Sequence, residues 1–418
     1  MRKILFPLGA LWLLGVGCPL PPVEGAWSEQ RIDEAGTLDL VDSHSTRMCV
    51  APNGDTFVVW IDDRDGQSDL WFNRKLAHDE RDVGWFDTPV RVNAFPGSNL
   101  WKPAIACTDT GVYVVWEDDR DGEVESHQIY VQRSVDGGQT WMAEDRLLEE
   151  DLDGRSNSFD PDIVAEGPNV YVAWSDNVNG AFDILFARST DSGVTWQDPV
   201  RIDSDEPPGS AYSAFPRLAT GFGGDHVYVT WQDFRNGGTT VDGSSDVYFA
   251  RSTDKGQSFG ADQRLDTGDD PGATDSFVPQ VAADDDDVYV VWHDARYGEA
   301  NDILMNHSSD GGVTWLPTAR VGDALGTRGL DQSLYPKLCV ADGTAHVVWY
   351  DAIDQGFFRV YYNRAVDGAW LGEQRRLDAN KESGQRGSVH PVITCDGEHV
   401  AAAWIDHVGD VNDDGYGD

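Results

Sequence analysis

Carboxylate and guanidinium groups recur together along this sequence, two and four residues after a tryptophan. The segments WIDDR, WEDDR, WQDFR and WHDAR each hold one such pair. The pairs are Asp62 with Arg64, Asp118 with Arg120, Asp233 with Arg235, and Asp294 with Arg296. Aromatic residues close to a proline precede several apolar runs: Trp101, Phe159, Phe215, Phe277 and Tyr335, with His390 as a weaker substitute. Such groups around a depression form the kind of surface that binds sugars and carboxylates.

The recurrence of the Asp and Arg residues also fits a purely structural role. A group that performs chemistry is rarely needed at every copy of a repeat. Arg–carboxylate pairs that lock neighbouring loops together explain the same pattern, and both interpretations stay open at this stage.

Seven segments of alternating apolar residues end in a tryptophan and set the spacing of these groups. They end at Trp60, Trp116, Trp174, Trp231, Trp292, Trp349 and Trp404. The near-constant interval, with units rich in Val, Tyr and Trp and punctuated by Gly and Asp, is typical of a repeat array of short strands. Helical periodicity is absent.

Each unit divides into four short strands, which predicts an all-β propeller of four-stranded blades over residues 27–408. We expect seven blades, with six as the alternative. The seventh unit supplies two strands before the chain ends, and the segment WSEQRID, residues 27–33, is similar to the last strand of a blade. We therefore expect this N-terminal strand to close the ring by completing the seventh blade.

The stretch RSTDSGVTW, residues 188–196, is repeated with small changes elsewhere in the chain, and it resembles the Asp box of sialidase-type propellers. The box residues are Ser134, Asp136, Gly138 and Trp141; Ser189, Asp191, Gly193 and Trp196; Ser252, Asp254 and Gly256; and Ser308, Asp310, Gly312 and Trp315. Asp and Ser side chains bond to the backbone of their own turn, and Gly accepts a left-handed conformation. We expect a structural hairpin whose Trp covers it as a local core.

The resemblance to sialidases implies a candidate catalytic set. In that family an Arg on the first strand, a second Arg after the next strand and an acid/base Asp five residues later match Arg47, Arg64 and Asp69. Arg235 or Arg296 would complete the arginine cluster that grips a carboxylate, and Tyr350 would be the nucleophile. Met48 and Cys49 stand where the family has Ile-Pro, and no Glu matches the partner of the Tyr.

Three functions follow as alternatives. The first is recognition of a glycan or glycoprotein at the face that carries the Asp–Arg pairs. The second is an exo-α-sialidase type of glycoside hydrolase, and the third is a structural surface protein.

The charge and the N-terminus bear on partners and location. With 73 acidic and 31 basic residues the net charge is -42, which argues against nucleic acid as a partner. Residues 1–17 are typical of a signal peptide, and LLGVGC resembles a bacterial lipobox with Cys18 as the lipidated residue. Residues 18–26 form a tether. We expect an exported monomer at the cell envelope, held in the membrane by lipid only, or else a secreted protein.

Two features concern cross-links and metals. Cys49, Cys107, Cys339 and Cys395 fall in first strands, where small buried residues or one or two disulfides are expected. In the tail, residues 409–418, Asp410, Asn412, Asp414 and Asp418 have the spacing of the start of a calcium loop. An acidic solvated turn is the alternative, and no cofactor is required otherwise.

Overall fold

The structure is a computed structural model in which every described regular element is a β-strand. It describes residues 5–7, 27–29, 43–63, 68–77, 85, 88–120, 127–149, 156–204, 207–238, 240, 242–298, 300–321, 332–354, 357–370, 374–378, 387–395 and 400–406. The predicted all-β class with four-stranded antiparallel sheets is confirmed. Within these residues, no helix has the length and apolar character needed to cross a membrane.

The chain forms two compact units, and the first, residues 32–264, contains four sheets that we call blades 1 to 4. Blade 1 consists of Ser43–Val50, Thr56–Asp62, Asp69–Lys75 and Val90–Arg91. Blade 2 consists of Leu100–Thr108, Gly111–Asp118, Gln128–Ser134 and Arg146–Leu147. Blade 3 consists of Ser158–Glu166, Asn169–Asp176, Asp183–Ser189 and Val200–Arg201. Blade 4 consists of Ser213–Gly221, His226–Gly237, Ser244–Ser252 and Gln263–Arg264.

The second unit comprises residues 1–31 and 265–418. Blade 5 consists of Ser276–Asp284, Asp287–Asp294, Asp302–Ser308 and Ala319–Arg320. Blade 6 consists of Ser333–Ala341, Thr344–Asp354, Phe357–Val366, Ala369–Trp370 and Arg375–Arg376. The last sheet pairs Ser388–Cys395 with Val400–Asp406.

The N-terminal pairing differs from the prediction. Trp27–Glu29 pairs antiparallel with Leu5–Pro7 and not with the last sheet. A strand edge accepts any extended segment that meets its backbone groups, and the apolar run before residue 27 supplies one. Ring closure by residues 27–33 and the number of blades stay predictions.

The second strand of each blade is buried on both faces. In blades 2 and 3 all eight of its residues are buried, because a neighbouring sheet packs on each side. Its tryptophan is fully or almost fully buried in all six blades: Trp60, Trp116, Trp174, Trp231, Trp292 and Trp349. Between blades 1 and 2, for example, Phe57 and Phe72 share one core with Trp116 and Tyr130. Burial on both faces explains the nearly continuous Val, Tyr and Trp runs.

A bulge interrupts every first strand at one equivalent position. The register shifts by one residue there in all seven first strands. One residue at each bulge has a positive φ: Ser45, Lys102, Asp160, Phe215, Val278, Tyr335 and His390. Proline follows six of them. Bulges re-aim side chains, so each blade turns the residues around this position away from the regular pleat.

The Asp boxes are hairpin turns held by their own side chains. Ser189 Oγ donates to Asp191 Oδ1 at 2.8 Å and accepts the N–H of Gly193 at 2.9 Å. Hydrogen bonds from the hydroxyl and backbone N–H of Thr195 lower the pKa of Asp191 to about 2. In blade 2 the box tryptophan also contacts the neighbouring blade, because Trp141 packs edge-on against Phe72 of blade 1 at 5.2 Å.

Two disulfides join first strands of adjacent sheets. Cys49 of blade 1 is bonded to Cys107 of blade 2, and Cys339 of blade 6 to Cys395 of the last sheet. Both pairs connect positions one repeat apart, which confirms that the cysteines lie close enough to bond.

Candidate functional site

The Asp–Arg pair of blade 2 belongs to a buried network. Trp116 Nε1 donates to Asp118 Oδ2 at 2.9 Å. Arg120 bonds to the same carboxylate and donates to Asp145 Oδ2 at 2.6 Å. The side chain of Arg120 is 7% exposed and also lies over Tyr130.

Blades 4 and 5 repeat this arrangement with their own carboxylates. Arg235 Nη2 lies 2.6 Å from Asp233 and 2.9 Å from Asp262. Burial alone would lower the pKa of Arg235, but the hydrogen bond and charge of Asp233 hold it above its ordinary value. Arg296 bonds to Asp294 through Nε and Nη2, both at 2.7 Å. This geometry favours a structural role for these arginines, in which each one fixes its loop by bonding to nearby carboxylates. Asp62 accepts Trp60 Nε1 in the same way, and Arg64 lies outside the described residues.

Asp69, the candidate acid/base, is 2% exposed and lies at a repeated position. Asn93 donates to its Oδ1 at 2.7 Å, and Arg91 lies 3.8 Å from its Oδ2. In blades 3, 4 and 5 the equivalent residue is also an aspartate that meets an arginine of the fourth strand, as Asp246 meets Arg264 at 3.0 Å. This environment is that of a structural carboxylate.

The aromatic residues of the first strands fall into two registers. Trp101, Phe159 and Phe277 stand one residue before the positive-φ position, whereas Phe215, Tyr335 and His390 occupy it. In the second unit Tyr335 stacks on Tyr350 at 5.6 Å, and His390 lies 5.9 Å from Tyr350. Tyr350, the candidate nucleophile, is 5% exposed within this aromatic group.

Arg47 stands in a different environment from the paired arginines. The residue is exposed to solvent, but nearby protein removes part of the water around its guanidinium group. This desolvation, and then the positive charge of Arg217, lower the pKa of Arg47. Among the described residues, no carboxylate oxygen lies within 4.0 Å of either guanidinium group. Nη1 of each donates only to the carbonyl of the preceding residue.

Arg47 belongs to a group of five residues that we call the first-strand charge cluster: Arg47, Lys102, Asp160, Asp162 and Arg217. Burial raises the pKa of Asp160, while the charges of Arg217, Lys102 and Arg47 act in the opposite direction. Arg47 also senses the charge of Asp162. These residues come from the first strands of blades 1 to 4, so the four strands bring three cations and two carboxylates within electrostatic range of one another.

Backbone contacts hold the acidic members in place. The N–H of Asp160 donates to Glu117 Oε1 at 2.6 Å, and the N–H of Leu218 donates to Asp162 Oδ2 at 2.8 Å. Beside them, the imidazole of His127 lies 4.4 Å from the ring of Trp101 and 4.9 Å from that of Phe159. The cluster therefore combines fixed charges with adjacent aromatic rings.

Four members of this cluster were missed by reasoning from the sequence alone. Lys102 and Asp160 directly precede a proline, and Asp162 and Arg217 directly follow one. The available signal was the proline in six of the seven first strands, whose flanking residues the bulge re-aims. The search for Asp–Arg pairs pointed instead to the loops after the second strand.

Several predicted residues lie outside the described part of the chain. They are Cys18, Arg64 and the calcium candidates Asp410, Asn412, Asp414 and Asp418. The described residues contain no group of three or more His, Cys, Asp or Glu side chains arranged to hold a metal ion.

Comparison with known proteins identifies the fold class. No family model and no curated protein matches this sequence. Among solved structures, a PL25 ulvan lyase, described as a polysaccharide lyase, aligns with TM-score 0.56 and 13% identity over 86% of this chain and 91% of its own. The Hadza microbial sialidase Hz136 aligns with TM-score 0.46 and 16% identity over 96% and 89%. A protein of unknown function from Dyadobacter fermentans aligns with TM-score 0.46 and 12% identity over 88% of this chain and 95% of its own.

At these identities the likeness extends to the fold alone. The repeated four-stranded sheets together with the ulvan lyase alignment confirm the β-propeller class. The neighbours include glycoside hydrolases and lyases.

Proposed function

We propose that this protein binds anionic glycans at the first-strand charge cluster. The observation that carries the proposal is the unpaired state of Arg47 and Arg217 among the described residues, whereas the arginines of the Asp–Arg pairs each hold a carboxylate: Arg120, Arg235 and Arg296. The two positive charges repel each other, so an anion bound between them would stabilise both. A carboxylate or a sulfate can accept bidentate hydrogen bonds from a guanidinium group.

The surroundings select a sugar over a bare ion. Asp160 and Asp162 supply acceptors for hydroxyl groups, and Trp101 and Phe159 supply apolar faces for a pyranose ring. The net charge of -42 would repel a large polyanion at long range. We therefore expect oligosaccharides with isolated acidic groups as ligands.

A glycan array with neutral, carboxylated and sulfated members tests this function. We expect binding to acidic members only, and a loss of about tenfold or more in affinity for Arg217→Ala. Arg146→Ala, which removes an exposed guanidinium from the same unit, is the matched control and should bind normally. Equal binding by Arg217→Ala and the wild type would contradict the proposal.

Glycoside hydrolysis is the second candidate, favoured by the raised pKa of Asp160 beside two arginines. A raised pKa makes a carboxyl group a better proton donor to a leaving oxygen than an ordinary aspartate is. Hydrolysis of a fluorogenic sialoside, abolished in Asp160→Asn while acidic glycans still bind, would establish this activity. Binding without turnover by the wild type would leave recognition as the function.

We also propose that the protein works outside the cytoplasm. The two disulfides support an oxidising compartment, as the N-terminal sequence does.

A further inference from the structure

The second unit contains a cleft of about 340 Å³ that the charge cluster does not involve. Its lining residues are Thr267, Gly268, Asp269, Thr274, Arg296, Tyr297, Pro317 and Thr318. They come from the connection that leads into blade 5 and from two loops of blade 5. The volume lies at the lower end of the range for small-molecule sites, roughly 300 to 1,000 Å³.

One wall of the cleft is fixed before any ligand arrives. Arg296 donates from Nη1 to the carbonyl of Thr267 at 2.8 Å and from Nη2 to that of Asp266 at 3.0 Å, in addition to its bonds with Asp294. Gly268 runs so close that a Cβ there would lie 3.2 Å from Arg296 Nη1, and its φ of +116° suits glycine. Binding would therefore not require ordering of this wall.

The charges of the cleft disfavour an ionic ligand. The guanidinium of Arg296 is paired with Asp294 at 2.7 Å and lies 4.0 Å from Asp269, so it offers no unmatched charge to an anion. The oxygens that a cation would use are already engaged: the Asp269 carboxylate accepts the Thr274 hydroxyl and lies 4.0 Å from the Arg296 guanidinium, and the Thr267 carbonyl accepts hydrogen bonds from Arg296 and Thr318. A neutral ligand fits these constraints.

The remaining groups suit a polyhydroxylated ring. Tyr297 is 39% exposed and offers a ring face, with Pro317 as a second apolar surface. Asp269, which accepts the hydroxyl of Thr274, and the hydroxyl oxygen of Thr318 supply acceptors at the margin, and the Thr267 hydroxyl supplies a donor. We infer that this cleft is a second carbohydrate site, which takes one neutral monosaccharide unit through ring contact with Tyr297 and hydroxyl contacts with Asp269.

Saturation-transfer NMR with the full chain tests this site. The probes are the methyl glycosides of mannose, galactose and glucose at millimolar concentration. At least one should receive saturation from the protein, and Tyr297→Ala should weaken its binding about tenfold, whereas Tyr297→Phe should retain it. Asp269→Asn should weaken it as well. Because Tyr297 is exposed, unchanged thermal unfolding is expected for its two variants, and thermal unfolding of all three variants serves as the check on folding.

Arg217→Ala separates this inference from the proposed function. Its neutral-glycoside signal should equal that of the wild type, since no residue of the cleft changes. A signal lost in Arg217→Ala would assign the binding to the charge cluster and overturn the second site while leaving the first. Absence of saturation transfer to all three glycosides, or equal signals from Tyr297→Ala and the wild type, would also overturn it.

Discussion

At the scale of single residues, a serine hydroxyl between two carboxyl groups links blade 2 to blade 3. Ser158 Oγ lies 2.5 Å from Glu149 Oε2 and 2.6 Å from Asp176 Oδ2. A hydroxyl has one proton and satisfies one of them, so the second contact requires a proton on a carboxyl group. Asp233 and Asp294 also share a serine hydroxyl with a second carboxylate, but each of them is paired with an arginine. Asp176 has no such arginine in its loop, because Asn177 and Val178 follow it.

This arrangement makes stability depend on pH through Glu149. Burial, and then the charge of Asp176, raise the pKa of Glu149 to about 8. The folded state therefore binds a proton that the unfolded state loses above its ordinary pKa of 4.5. The resulting stabilisation is complete below about pH 4.5 and is lost as the pH rises through 8. We predict that Glu149→Gln flattens the fall in unfolding free energy between pH 5 and 8, as measured by urea unfolding.

Glu144→Gln, a change at an exposed glutamate of the same blade, is the control for this measurement. It should leave the slope of stability against pH as in the wild type. If Glu149→Gln and the wild type have the same slope, the proton is not held at this site.

At the scale of elements, the repeated nonapeptide serves contacts between blades as well as its own turn. Arg74 of blade 1 donates from Nη1 to the carbonyls of Asp136 and Gly137 in the box of blade 2, at 3.0 and 2.6 Å. Arg133, the first residue of that nonapeptide, donates in the same way to Ser192 in blade 3 at 3.0 Å. Arg188 does the same with the carbonyl of Lys255 in the box of blade 4, at 3.2 Å. In these blades the arginine at this position binds the box of the following blade, which gives the first residue of the nonapeptide a role beyond its own turn.

We predict that Arg74→Met destabilises the protein by about 1 to 3 kcal/mol, because two carbonyl groups lose a charged donor while the apolar part of the side chain is retained. Urea or thermal unfolding measures the change. Arg146→Met replaces an exposed arginine on a fourth strand and should cost much less. Equal losses in the two variants would contradict a specific bond between Arg74 and the box.

At the scale of the whole molecule, one disulfide cross-links a sheet with few strands to its neighbour. The last sheet has two strands among the described residues, and Cys339–Cys395 ties its first strand to blade 6. This bond closes a loop of 56 residues in sequence separation. The chain-entropy model assigns such a cross-link about 4 kcal/mol of stabilisation.

We predict that the double change Cys339→Ser and Cys395→Ser lowers the melting temperature in calorimetry, and that the effect is largest in the second unit. A reducing agent should lower the melting temperature of the wild type further, because Cys49–Cys107 is then lost as well. The variant Cys49→Ala with Cys107→Ala serves as the comparison. A wild type that is insensitive to reductant, or that carries four free thiols when denatured, would contradict the bonded state.

The sequence alone determined the local structure, because the local signals are strong. The 57-residue period, the apolar runs and the turn residues of the Asp boxes specify strands and hairpins through interactions within a few residues of each other. Those runs could be placed confidently since a strand buried on both faces, such as Gly111–Asp118, has little choice of residue type. The repeat placed Cys49 and Cys107 at equivalent positions but left open whether they are bonded, and the structure shows the bond.

Only the tertiary structure decided which charged residues pair with one another. Arg47, Arg120 and Arg217 are indistinguishable as residue types, and the recurring Asp–Arg motif drew attention to Arg120. Its partner Asp145 lies 25 residues away, and the distance between Arg47 and Arg217 in the sequence is far greater. Pairing between residues so remote depends on how blades pack and how the bulges turn their side chains, and no local pattern encodes that geometry.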